Sequence, residues 1–250
     1  MTIDASSPRS VVWPAIVAEA ENLRANAIVG RSISAAIFDH GNLEDALAFQ
    51  IGQWLGSGDD RESYADAARQ ALRSSPAIAD AACADLEGIR ARDPAFSGFL
   101  PVLLNAKGYI ALQAWRVSNW LWLHERRDLA LLFQNAASHA LQISIHPSAA
   151  FGRGVFLDHG TGIVVGAGVQ VGDDVTILQN VTLGRGKAGG GAPVIGRGVL
   201  LSADASIIGD VNVGDFAKIG AGSVVTMDVP AGCTAVGVPA ELVNCPSMVS

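Results

Sequence analysis

Few side chains in this sequence are suited to chemistry, and one short run holds two of them: Asp158-His159-Gly160-Thr161-Gly162. An imidazole, titrating at ~6.5 when unperturbed, is well matched to taking a proton from a hydroxyl near neutrality and returning it to a leaving group. Of the other histidines, His40, His124, His139 and His146 stand in no such run and read as structural or surface residues. Asp158 beside His159, and Asp93 before Pro94, are carboxylates open to a binding role. Their plainer readings are a solvated turn and a helix-boundary cap. Cys83, Cys233 and Cys245 are odd in number and include no Cys-x-x-Cys pair. That argues against a zinc site and against a disulfide framework, and fits a reducing compartment. The glycine-rich run from Arg185 to Val194 is neither a G-x-G-x-x-G nor a Walker sequence, so it reads as a loop rather than a phosphate cradle.

Composition narrows the classes further. Seventeen Lys and Arg against twenty-four Asp and Glu leave a net charge of −7. A nucleic-acid binder needs a basic face, so this balance argues against that class. The most apolar stretch, Tyr109 to Phe133, is interrupted by Arg116, His124, Glu125, Arg126, Arg127 and Asp128, too often to span a bilayer. Met1-Thr2-Ile3-Asp4-Ala5 has neither a basic nor an apolar leader region, and the expectation is a cytoplasmic protein.

Two kinds of element must position these groups. Residues 1–142 read as helices: Val11 to Ala27, Leu43 to Leu55 with Asn42 as N-cap, Tyr64 to Leu72, Ile78 to Arg90, Lys107 to Leu123, and Asp128 to Leu141. An irregular stretch follows Asp93-Pro94. Trp115, Trp120 and Trp122 read as packing residues. Over residues 143–243 the apolar period becomes six: Ile145, Phe151, Leu157, Ile163, Val169, Val175 and Val181, then, in a new phase, Ile195, Leu201, Ile207, Val213, Ile219 and Val225. Neither a helix nor an isolated strand repeats every six residues, whereas a solenoid of short strands and tight corners does. The two series are separated by the loop near 185–194, and a short tail covers 244–250.

These repeats resemble the hexapeptide-repeat acyltransferases. The segments Arg90-Ala91-Arg92-Asp93-Pro94-Ala95, Lys107-Gly108-Tyr109, Ile145-His146-Pro147, Asp158-His159-Gly160-Thr161-Gly162 and Gly237-Val238-Pro239-Ala240 resemble serine O-acetyltransferase more narrowly. The resemblance covers nearly the whole chain. It implies an α+β protein, a helical domain followed by a left-handed parallel β-helix, assembled as a trimer or as two trimers joined through the helical domains. It also implies acetyl-CoA as co-substrate, lying in a groove between subunits, with no metal. His159 would be the catalytic base, Asp93 and Asp158 would bind the acceptor amine, and Ala203, Lys218 and Ala221 would line the CoA groove.

Three positions depart from that pattern. Ser144 stands where the family carries the aspartate that orients the histidine; in a serine-protease triad losing such a carboxylate costs up to ~10⁴ in rate. Gly191-Ala192 replace the family's Arg-His pair before Pro193, and with it the usual grip on the acceptor carboxylate. Pro246-Ser247-Met248-Val249-Ser250 lacks the tail ending in Ile that many relatives insert into cysteine synthase, which speaks against that complex. The expected activity is therefore acetyl-CoA-dependent O-acetylation of L-serine or a serine-like amino alcohol. With the loop cations gone, a masked or absent acceptor carboxylate is also expected. The alternative is a catalytically silent homologue with a binding or regulatory role.

Overall fold

A computed structural model describes residues 8–187 and 190–246. The helices are α1 (Arg9–Glu21), α2 (Gly30–Ile33) running into a π-helical turn (Ser34–Phe38), α3 (Leu43–Leu55), α4 (Asp60–Ser74), α5 (Pro76–Arg92), α6 (Phe99–Asn105), α7 (Lys107–Leu123) and α8 (Arg127–Leu141). Helix α3 has the expected bounds, and Asn42 caps it by accepting the Asp45 N–H at 2.9 Å. Helix α7 also runs as expected. Helix α1 stops six residues early because the Asn26 side chain accepts the N–H groups of Ile28 and Val29 in a competing turn. The stretch after Pro94 is not all irregular, since it contains α6. That helix has no local side-chain cap; Glu19 of α1 accepts the N–H groups of Phe99 and Leu100 instead.

From Ser144 the chain winds into three-stranded coils. The first holds β1 (Ser144–Ile145), β2 (Ala150–Phe151) and β3 (Phe156–Leu157), and the second holds β4 (Val164–Val165), β5 (Gln170–Val171) and β6 (Thr176–Ile177). The third holds β7 (Thr182–Gly184), β8 (Val194–Ile195) and β9 (Leu200–Leu201), and the fourth β10 (Ser206–Ile208), β11 (Asn212–Val213) and β12 (Lys218–Ile219). After β13 (Val224–Val225), β14 (Thr234–Gly237) and β15 (Ala240–Val243) close the end as an antiparallel hairpin. Strands from successive coils pair in parallel into three sheets: β1-β4-β7-β10-β13, β2-β5-β8-β11, and β3-β6-β9-β12-β14 with β15 at its edge. The result is a triangular parallel β-helix with an aliphatic interior.

Register shows where the coils depart from regularity. Val164 pairs with Thr182, eighteen residues on, and Ser206 pairs with Val224 at the same interval. Ser144 pairs with Val164, twenty residues on, so the first coil carries two extra residues. They lie in the corner between Leu157 and Val165, which contains His159. Thr182 pairs with Ser206, a longer coil again, because the loop between β7 and β8 leaves the solenoid there. The phase change expected at that loop therefore occurs earlier, at His159. Ile163, Val169, Val175 and Val181 are buried in the corners, while Val165, Val171, Ile177 and Leu183 are the inward strand residues. Both sets are apolar, which hid the slip.

The cysteine expectation needs correcting. Cys233 and Cys245 form a disulfide, with Cα atoms 4.1 Å apart, while Cys83 is buried as a free thiol. The β14–β15 hairpin pairs Thr234 with Val243 and so returns Cys245 to Cys233, a proximity that chain spacing alone does not reveal. Burial pushes the Cys83 thiol up to about 12. Among the described residues no helix is long and apolar enough to cross a membrane.

Helices α5 and α7 dock on the first coils. Asp85, fully buried in α5, accepts from Arg116 and Gln113 of α7 and from the backbone N–H of Val155. Arg116 also donates to the Gly152 carbonyl. Trp115 packs on Phe151 and donates to the His146 carbonyl, and Trp120 is buried against His124. Both are packing residues.

Candidate active site

The corner after β3 is the widened one, and its backbone explains its shape. At regular corners on this edge the third residue past the inward strand residue is left-handed: Asn180, Asp204 and Gly222. Here His159, Gly160 and Gly162 all have positive φ, with His159 at 56°. Such a conformation is uncommon outside glycine, and it holds the imidazole outward from the solenoid. The His159 side chain is 76% exposed, open to a ligand on the prism surface. Gly162 allows close stacking on the next coil, since a β-carbon there would overlap the Asn180 amide oxygen.

A cleft of about 300 Å³ opens beside this corner, lined by Asp93, Asn105, Lys107, Phe156, Asp158 and His159 among others. Two remote segments thus meet. Asp93 follows the last residue of α5 and uses Oδ1 to accept the Ala95 N–H at 2.8 Å, a bond that shapes the turn beyond the helix, while it also lines the cleft. Asp158 Oδ1 lies 3.7 Å from His159 Nε2, an electrostatic neighbour beyond hydrogen-bond range. The end of α5 is pinned by Arg92, which reaches the carbonyls of Gly154 and Asp174 and the Thr176 hydroxyl. Burial holds the Arg92 guanidinium below its ordinary range. Helix α7 approaches just as closely, and a β-carbon on Gly108 would overlap the Leu157 carbonyl.

The remaining candidates lie further along the same edge. Corner backbones are laddered by bonds from Asn180 N–H to Thr161, Asp204 N–H to Gln179 and Gly222 N–H to Ala203. Ala203 and Ala221 therefore belong to the stack that begins at His159, two and three coils away at ~4.8 Å per coil. Lys218 is exposed at the start of β12, on the sheet that ends at this edge. These three do not reach the cleft itself; they mark a line of small residues and one cation leading from it.

Ser144 is half-buried in β1, and its hydroxyl accepts from Gln134 at 3.2 Å. The arginines at either end of the loop region are engaged away from the cleft. Arg185 donates from Nε to the Ala167 carbonyl and lies near His146, whose imidazole is held below its ordinary range by burial and by that guanidinium. Arg197 stacks over Phe216 at 5.0 Å, at the corner after β11. Residues 188 and 189 of the loop, like 247–250 of the tail, lie outside the described residues. Sequence reasoning missed Arg92, Lys107 and Thr161 as parts of this site. The only signal for Lys107 was its place in the Lys-Gly-Tyr segment, since its proximity to Thr161 depends on how α7 docks. Among the described residues no group of three or more His, Cys, Asp or Glu suits a metal ion.

Residues 12–114 match the family model described as Serine acetyltransferase, N-terminal. Over 240 residues the chain is 42% identical to the serine acetyltransferase of Escherichia coli (strain K12), covering 94% of this chain and 88% of that protein. Soybean serine acetyltransferase complexed with serine has a TM-score of 0.91 at 41% identity, covering 96% of this chain and 100% of that one. Serine acetyltransferase in complex with coenzyme A from Brucella abortus strain S19 has a TM-score of 0.90 at 38% identity, covering 93% and 95% of the two chains. Likeness of this depth in sequence and in fold, over nearly the full length, means that the chain belongs to the serine acetyltransferase family.

Proposed function

We propose that this protein transfers the acetyl group of acetyl-CoA to the hydroxyl of serine, with His159 as general base. The observation that carries this reading is the convergence of Asp93, Asp158 and His159, from segments far apart in sequence, on one open cleft. The Asp93 and Asp158 carboxylates hold the acceptor ammonium. The imidazole takes the hydroxyl proton as the oxygen attacks the thioester carbonyl. The tetrahedral adduct collapses, the C–S bond breaks, and the imidazolium returns the proton to the CoA sulfur. Asp158, 3.7 Å from His159 Nε2, stabilises the transient imidazolium, a task that Ser144 cannot perform by charge.

Related proteins solved with serine and with coenzyme A support the two substrates. The stacked small residues Ala203 and Ala221 suit an extended CoA arm running up from His159, and Lys218 suits one of its phosphates. We assign the working form as a homotrimer or a dimer of trimers, with CoA between adjacent prisms. In that form residues 1–142 serve oligomerisation, residues 143–243 serve acyl transfer and the region around 185–194 serves as an active-site loop. A catalytically silent role would leave the carboxylate–imidazole pair in the cleft without a use. The test is thiol release from acetyl-CoA by the purified protein, with mass detection of O-acetylserine. Serine-dependent release is expected; release with no dependence on any amino alcohol would remove this reading.

A further inference from the structure

A free amino acid brings a carboxylate as well as an ammonium, and a cleft with two carboxylates needs a cation to hold it. The candidate arginines are engaged at other places. Arg185 is bonded to Ala167, Arg197 lies over Phe216, and Arg92 is bound to coil carbonyls. Arg90 sits over the Phe99 ring at 4.4 Å. Among the described residues that line the cleft, Lys107 is the one lysine or arginine. It opens α7, whose N-terminus has no side-chain cap, so the helix dipole adds positive potential on the same side. Its ammonium donates to the Thr161 hydroxyl on the widened corner, one of three N–H donors, and two remain for a ligand.

We propose that Lys107 binds the acceptor carboxylate and makes the enzyme selective for a free α-amino acid over its amide. This rests on the cleft being the acceptor site, and it replaces the expectation of a masked carboxylate, which followed from the missing Arg-His pair before Pro193 alone. The ammonium of serine then faces Asp93 and Asp158, and its carboxylate faces Lys107. That orientation leaves the hydroxyl toward His159.

The experiment compares kcat/KM for L-serine and for L-serinamide in the intact protein. The Lys107→Met variant is expected to lower the serine-to-serinamide ratio about tenfold or more, the scale of a lost charge-assisted contact. Lys107→Arg and Thr161→Val, which keep a cation in the cleft, are expected to retain the preference. An unchanged ratio in Lys107→Met overturns the proposal. So does an equal loss on both acceptors, or a preference lost in Thr161→Val, because either marks Lys107 as a brace for the corner. Wild-type protein inactive toward both acceptors would instead defeat the acetyltransferase reading.

Discussion

At the scale of single residues, the site depends on charges that would repel one another without a ligand. Asp93 and Asp158 share a cleft, where the proposed acceptor ammonium would neutralise them, and Asp158 also faces His159. Replacing Asp158 by Asn keeps the shape and removes the charge. The expected result is a fall of about 10- to 100-fold in kcat/KM for serine, since a hydrogen bond to a charged group contributes ~1.5–3 kcal/mol. Steady-state kinetics at saturating acetyl-CoA would measure it, and an unchanged value would remove Asp158 from acceptor binding. The roles proposed for Asp93, Asp158 and His159 were suggested by their sequence context alone. Lys107 was not, because an isolated lysine carries no pattern and acquires its neighbours from helix docking.

At the scale of elements, regularity was legible and its interruptions were not. The cap at Asn42 and the uninterrupted pattern of α7 are local signals, and both helices run as read. Helix α6 depends on Glu19, some eighty positions away in the chain, so no local signal announces it. The six-residue period correctly indicated stacked short strands. It concealed the two-residue expansion at His159 because Ile163 and Val165 are both buried. That expansion makes room for the imidazole, and the beginning of α7 forms its wall. Gly108→Ala is expected to push α7 from the Leu157 carbonyl, destabilising the protein by about 1–3 kcal/mol. The serine KM should rise as Lys107 moves with the helix. Urea melting and kinetics on one sample would check both effects, and a fully stable variant with an unaltered KM would contradict the close docking.

At the scale of the whole molecule, the helical half and the β-helix are held as one catalytic body by a buried polar node. Asp85 receives Arg116, Gln113 and the Val155 N–H, and no part of its side chain is exposed. Removing one member strands the other charge. Asp85→Ala is therefore expected to cost about 3–5 kcal/mol in chemical denaturation. A loss below about 1 kcal/mol would mean that the halves dock without it. This node was illegible beforehand, since a buried Asp and Arg look like surface charges until two helices and a coil enclose them. The disulfide was hidden for the same reason, a hairpin being needed to return Cys245 to Cys233.

The central claim is that His159 moves the proton, and it is tested most directly by the rate of serine-dependent CoA release in His159→Ala with both substrates saturating. The account predicts a fall of roughly 10²- to 10⁴-fold in kcat in a variant that retains its wild-type melting curve. A His159→Ala protein turning over at the wild-type rate would contradict it.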